Sequence, residues 1–156
     1  MAKPATSCGT RRTNRRVPDA PFRKNAVGPA LAVGRIMGLM HVTVTLRVPG
    51  TRQGGYEGLF LVDTGAIDSM APGSSLAAAG IEPVRASSYE LADGSVHEYQ
   101  YGLAQIEFMG ELTAGRVIFG PEGTEPILGV TALESVGITL DPATKTLKRL
   151  PALPLK

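Results

Sequence analysis

From His41 onward, apolar and polar residues alternate in short runs that glycine or proline interrupts before a helix of ordinary length could form. Fifteen of the nineteen Gly and eight of the twelve Pro impose that punctuation, and a chain so divided folds as short strands joined by turns. His41-Val42-Thr43-Val44-Thr45-Leu46-Arg47-Val48 alternates around β-branched residues and predicts a half-buried strand, with a turn over Pro49 to Gly55. Tyr56 to Val62 resumes as a strand, and the unbroken Leu59-Phe60-Leu61-Val62 predicts burial on both faces. Ser74 is placed to cap a short helix through Ala79 that Gly80 ends. Tyr89-Glu90-Leu91 and the chain from Val96 read as a hairpin around Ala92-Asp93-Gly94-Ser95. Gln105 to Met109 and Gly115 to Phe119 predict two further strands. A second short helix is expected over Thr131 to Val136, with Thr131 and Glu134 at capping-box spacing and Gly137 as its stop. Gly137 to Leu140, an Asp141-Pro142 turn and Lys145 to Leu150 close the chain as strands. The fold class is mainly β with two short helices.

Charge divides the chain. Residues 1–36 hold eight Lys or Arg against one acid, Asp19, whereas residues 37–156 hold eight basic and thirteen acidic residues. The first segment, rich in Arg, Pro and small polar residues without periodicity, reads as a basic, disordered extension or pro-segment; the folded domain is expected over 37–156. With a mildly acidic body, nucleic acid is not an expected partner. The run from Ala26 to Met40 carries Gly28, Pro29, Gly34, Arg35 and Gly38, too interrupted for a membrane span or a secretion signal, so a cytoplasmic protein without a membrane partner is expected. Cys8 is the only cysteine and His41 and His97 lack ligand spacing, so neither a metal site nor a cofactor is expected.

The chemistry-bearing segment is Phe60-Leu61-Val62-Asp63-Thr64-Gly65-Ala66-Ile67-Asp68-Ser69, a carboxylate at the end of an apolar strand followed by a hydroxyl residue and a glycine. Burial raises a carboxyl pKa, and a second carboxyl nearby raises one member of the pair further. Two such groups sharing a proton can hold a water, deprotonate it for attack and protonate a carbonyl oxygen, and they titrate as a unit. Taken alone, the three residues Asp63-Thr64-Gly65 more readily describe a simple turn in which Asp63 bonds its own backbone.

The segment resembles the active-site loop of the retropepsins, in which a hydrophobic-hydrophobic-Asp-Thr-Gly-Ala string is followed three residues later by Ser or Thr, the place Ser69 fills. Ile106 to Gly110 and Val117 to Pro121 look like that family's strands between flap and helix, and Pro126-Ile127-Leu128-Gly129 like the apolar pair and glycine that face the catalytic loop. The stretch Glu134 to Pro142 is similar to the ending of small bacterial members, and the likeness covers residues 37–150. The resemblance implies a closed β-barrel protomer of a two-fold homodimer acting as an aspartic endopeptidase on an extended peptide, with Asp63 as the catalytic carboxylate. Thr64 would hydrogen-bond to the other subunit and Gly65 would offer its carbonyl to the substrate backbone. Ala66, Ile67 and Asp68 would line the substrate, Asp93, Gly94 and Ser95 would form the flap tip, and Ile127, Leu128 and Gly129 would wall the site or simply pack in the core. Viral members often carry an acid where Ile67 stands, which leaves peptide specificity open here.

The mechanism needs two carboxylates and the chain holds a single Asp-Thr-Gly, so Asp63 is expected to meet its own symmetry mate. Strand 41–48 and the end near Leu147 to Leu150 would interleave at the dimer base, as in the family. A rival expectation is a catalytically silent dimer of the same fold, retained as a binding or assembly module. Gly73-Ser74-Ser75 lacks the flanking pattern of a nucleophile elbow, which argues against a serine hydrolase. The apolar segment from Ile36 to His41 reads as a flexible site of self-cleavage. On incubation, the wild-type chain should lose mass there while Asp63→Asn stays intact; equal intact masses in mass spectrometry would exclude the cut.

Overall fold

The computed structural model of the protein describes residues 35–36, 39–141 and 143–152. Strand β1 (Arg35–Ile36) folds back antiparallel on β2 (Leu39–Arg47), and β2 continues antiparallel to β3 (Tyr56–Asp63) from His41↔Leu61 to Leu46↔Tyr56. Leu39, Met40 and His41 therefore lie within a paired strand, not in a flexible segment. Apart from Arg35–Ile36, the basic extension expected over 1–36 lies outside the described residues. Alternation turns Val42, Val44 and Leu46 of β2, and Phe60 and Val62 of β3, into the core. The opposite face of β3 stays open: Leu59 is 50% exposed and Leu61 half-buried, contrary to the expected burial on both faces. The apolar run Leu59 to Val62 is thus core on one side only, because no other described element covers the second.

After β3 come β4 (Ser69–Pro72) and α1 (Gly73–Ala78). Pro72, not Ser74, occupies the N-cap of α1, and no side chain of the helix caps it. Ser74 lies inside the first turn, where its N–H and its hydroxyl donate to the two carboxylate oxygens of Glu122, at 3.0 and 2.7 Å. An acid from a distant loop thus satisfies a helix-start donor that the sequence assigned to a local cap. At the other end the expectation holds: Gly80 has φ +78°, its N–H bonds Ala77 O and that of Ile81 bonds Leu76 O, a Schellman closure.

Strand β5 (Arg85–Glu90) and β6 (Val96–Phe108) make the expected hairpin. β6 is one 13-residue strand where the sequence suggested separate pieces. Gly102 interrupts the pattern yet not the strand; a Cβ there would meet the Glu82 carbonyl oxygen at 2.6 Å, so the glycine permits a close backbone approach. Met109 is not strand but turn: Met109 and Gly110, with φ 51° and 76°, link β6 to β7 (Glu111–Gly120). Positive φ at both central residues gives the hairpin a twist that matches its strands.

Strand β8 (Ile127–Gly129) leads directly into α2 (Val130–Ser135). The order β2-β3-β8-β4-β7-β6 returns to β2, which pairs with β6 from Val44↔Phe108 to Arg47↔Gln105, so the hydrogen-bonded circuit is continuous. Within it β3–β8 and β4–β7 are parallel and the remaining pairs antiparallel. Val44, Leu46, Phe60, Ile106, Phe108, Val117 and Leu128 fill its interior, with Leu76 of α1 and Leu133 of α2 packed against them. Each such side chain removed from water stabilises the fold by about 1.5–3 kcal/mol, which sets the core rather than helix propensity as the driving term. Among the described residues, no helix is long and apolar enough to cross a membrane.

The chain closes with β9 (Ile138–Asp141) and β10 (Thr146–Arg149), paired only with each other among the described residues. Gly137, with φ +69°, ends α2 as expected. Asp141 organises the hairpin: its carboxylate pairs with Lys148 and accepts the N–H groups of Ala143 and Thr144. Lys148 first, and then these backbone donors, hold its pKa down at about 2, below the ordinary 3.8. A depressed carboxyl pKa contributes stability above the ordinary value and loses it as pH falls through the folded one. Between about pH 4 and pH 2 the melting temperature of the wild type should therefore fall more steeply than that of Asp141→Asn; parallel curves would show that the hairpin carboxylate is not coupled to folding.

Candidate active site

Asp63 ends β3 where that strand runs parallel to β8, opposite Gly129. The chain from Thr64 to Asp68 then crosses the start of α2. A helix of this kind begins with backbone N–H groups that have no partner of their own. Here the Val130 N–H donates to the Ala66 carbonyl at 2.8 Å and the Thr131 N–H to the Ile67 carbonyl at 3.3 Å. Thr131 is thus held by loop backbone, and the capping box expected with Glu134 does not form; α2 starts one residue earlier, at Val130, without a side-chain cap. The buried Ser69 hydroxyl accepts the Gly129 N–H at 3.1 Å. Gly129 has no room for a side chain: a Cβ would sit 2.6 Å from the Asp68 carbonyl carbon and oxygen and 2.7 Å from the Ile67 oxygen. The two segments singled out by sequence, 63–69 and 127–131, are therefore one interlocked unit.

Within it, the half-buried Asp63 accepts the Gly65 N–H on Oδ1 at 2.8 Å, and its carbonyl accepts the Ala66 N–H at 3.3 Å. Thr64, Gly65 and Ile67 are exposed, and Ala66 is half-buried. Leu128 lies in the core, fully buried, while Ile127 is half-buried beside Leu61 and Met70. Asp68 is turned away to accept the Tyr89 hydroxyl at 3.0 Å. Tyr89 comes from β5, and nothing in its sequence surroundings marked it; the partner lies 21 residues away on another element. Burial first, and then the Asp68 carboxylate, push the Tyr89 phenol above its ordinary pKa.

Asp93, Gly94 and Ser95 form the tip of the β5–β6 hairpin, as expected. Asp93 Oδ1 accepts the Ser95 N–H at 2.9 Å and its hydroxyl at 2.6 Å, which holds the Asp93 carboxyl below its ordinary range. Gly94 takes φ +79°, and His97 Nε2 lies 3.1 Å from Ser95 Oγ. These bonds are internal to the tip, and none of the tip hydrogen bonds reaches the Asp63 loop. A further pair missed from sequence joins buried His41 to Glu125 at 2.7 Å, just ahead of Pro126, whose carbonyl accepts the Leu61 N–H. Among the described residues, no three His, Cys, Asp or Glu side chains converge as a metal site would require.

No protein-family model and no curated protein matches this chain. A carboxylate stands at the end of a core strand, on a loop whose path is fixed by backbone bonds and a glycine contact. It is well placed to act as an acid–base group with little reorganisation of its support.

Removing the Ser69 hydroxyl leaves the Gly129 N–H buried without its partner, so Ser69→Ala should cost about 1–3 kcal/mol. Gly129→Ala should destabilise by at least as much, because all three atoms it meets are backbone. Urea unfolding of both variants measures this; wild-type midpoints would show that the two segments do not depend on each other.

Proposed function

We propose that this chain is the protomer of a retropepsin-like aspartic endopeptidase, a closed β-barrel that works as a two-fold homodimer in which two Asp63 carboxylates activate a water. The observation that carries the reading is the interlocking of the loop after Asp63 with the start of α2: the Ala66 and Ile67 carbonyls accept the Val130 and Thr131 N–H groups, and Gly129 lies against the backbone of Ile67 and Asp68. A carboxylate needs a support of this rigidity if it is to meet a second one at a set distance. The continuous pairing circuit through β2 and β6 supports the barrel, and the β5–β6 hairpin supports a flap.

One Asp-Thr-Gly per chain supplies half of such a pair, and a two-fold axis supplies the rest. Leu59 lies on the same face of β3 as Asp63 and is 50% exposed, as is Leu39 at the start of β2, which suits a surface that a second copy covers. In the dimer one Asp63 carboxylate takes the proton of the water as it attacks the peptide carbonyl, and the other, protonated, donates to the carbonyl oxygen. The pair then titrates as a unit. The substrate is an extended peptide with apolar side chains beside the scissile bond, added as a strand between hairpin and floor. The reading places the enzyme in the cytoplasm and requires no metal or cofactor.

The bond from the Gly65 N–H to Asp63 Oδ1 also suits a second reading, in which the acid shapes a turn in a catalytically silent binding or assembly module. Asp63→Asn separates the two, since the amide oxygen still accepts the Gly65 N–H while the acid–base function is lost. Against a peptide library at mildly acidic and neutral pH, cleavage should fall by ~10³-fold or more with the fold retained. Activity that survives the substitution, or a sedimenting monomer that still cleaves, refutes the protease assignment.

A further inference from the structure

The β5–β6 hairpin outruns the rest of the sheet. Pairing of β6 with β7 begins at Tyr101↔Ile118, so residues 96–100 of β6 pair with β5 alone. β5 in turn is the last strand of the sheet. A two-stranded ribbon without a third strand or a helix beneath it is marginally stable in water. This one carries a side-chain tether near its tip. Tyr89, opposite His97 and one residue short of the end of β5, donates its hydroxyl to Asp68 Oδ2 at 3.0 Å. Asp68 belongs to the loop that follows Asp63, and its carbonyl presses on Gly129. The donor therefore belongs to the two-stranded ribbon and the acceptor to the interlocked loop.

The surroundings favour this bond. The Tyr89 ring packs on Tyr99 of β6 with centroids 6.4 Å apart, which keeps the phenol from swinging free. Arg116 of β7 lies over Tyr101, 4.6 Å from its ring centroid, and also faces the Tyr89 phenol, whose pKa it pulls down against the opposing effects of burial and Asp68. A phenol is protonated through the neutral range at its ordinary pKa of 10.0, so the Tyr89 hydroxyl is a donor there.

We propose that the Tyr89–Asp68 hydrogen bond is a latch that holds the β5–β6 ribbon against the Asp63 loop, making Tyr89 a positioning residue for substrate retention. The retention part rests on the protease reading; the latch itself does not. With the bond made, movement is confined to the tip beyond Tyr89, from Glu90 to Val96. With it broken, the ribbon is free down to Tyr101, where the third strand begins.

Amide hydrogen exchange of residues 97–100 tests the latch without any substrate. Tyr89→Phe keeps the ring and removes the donor; exchange there should quicken roughly ten-fold, the scale of a hydrogen bond to a charged acceptor. Asp68→Ala should do the same, and the double variant should exchange no faster than either single one. Unchanged exchange in Tyr89→Phe, or rate increases that multiply in the double variant, would overturn the latch. For the enzyme, Tyr89→Phe should raise KM roughly five-fold with kcat within about two-fold; a fall in kcat at constant KM would overturn the positioning role. Absence of Asp63-dependent cleavage in the wild type would sink the protease reading, while the exchange data would still decide for or against the latch.

Discussion

Everything around the candidate site depends on how the first N–H groups of α2 are satisfied. They point at the carbonyls of Ala66 and Ile67, which gives a loop without regular structure a defined path. The missing side chain of Gly129 lets that path run in direct backbone contact. A helix start usually finds its partners within its own sequence, in a cap side chain or in water. Here the partner is a loop from the other half of the chain, so capping a helix and shaping a carboxylate-bearing turn are one interaction. Ser69 extends the same logic by accepting the Gly129 N–H from beneath.

The core makes that interaction affordable to maintain. Besides the short β1 at its start, β2 serves β3 along one edge and β6 along the other, so the strand that holds Asp63 has a neighbour tied to the far side of the sheet. Both helices contribute few buried residues, Leu76 from α1 and Ala132 and Leu133 from α2, and neither is long enough to be stable alone. Their role is to present termini. α1 receives Glu122 at its start, α2 receives the loop.

Much of this was legible in the chain itself. Alternation in His41 to Val48 and the apolar run to Val62 located β2 and β3, the glycines at 80 and 137 marked where helices stop, and Asp93-Gly94 marked the hairpin. Misreadings share one cause, which is that distant contacts replaced local ones. Ser74 and Thr131 have the chemistry of caps, yet Glu122 and the loop carbonyls occupy those donors. Leu59 reads as core but faces outward, since four apolar residues in a row do not say which side of a strand is covered. At the candidate site, the order of residues 63–69 and 127–131 could be read from their spelling. The Tyr89–Asp68 and His41–Glu125 pairs could not, because no local periodicity encodes a contact between elements.

The bond between Ser69 and Gly129 spans 60 residues of chain. Contacts this far apart in sequence form late, after the entropy of closing the intervening segment has been overcome. On the ribosome, Asp63 emerges long before the backbone that fixes its loop. A nascent chain that has not yet exposed Thr131 carries the carboxylate but not its geometry. The geometry of the Asp63 loop is therefore acquired only after the start of α2 has emerged, some sixty residues behind the carboxylate it supports.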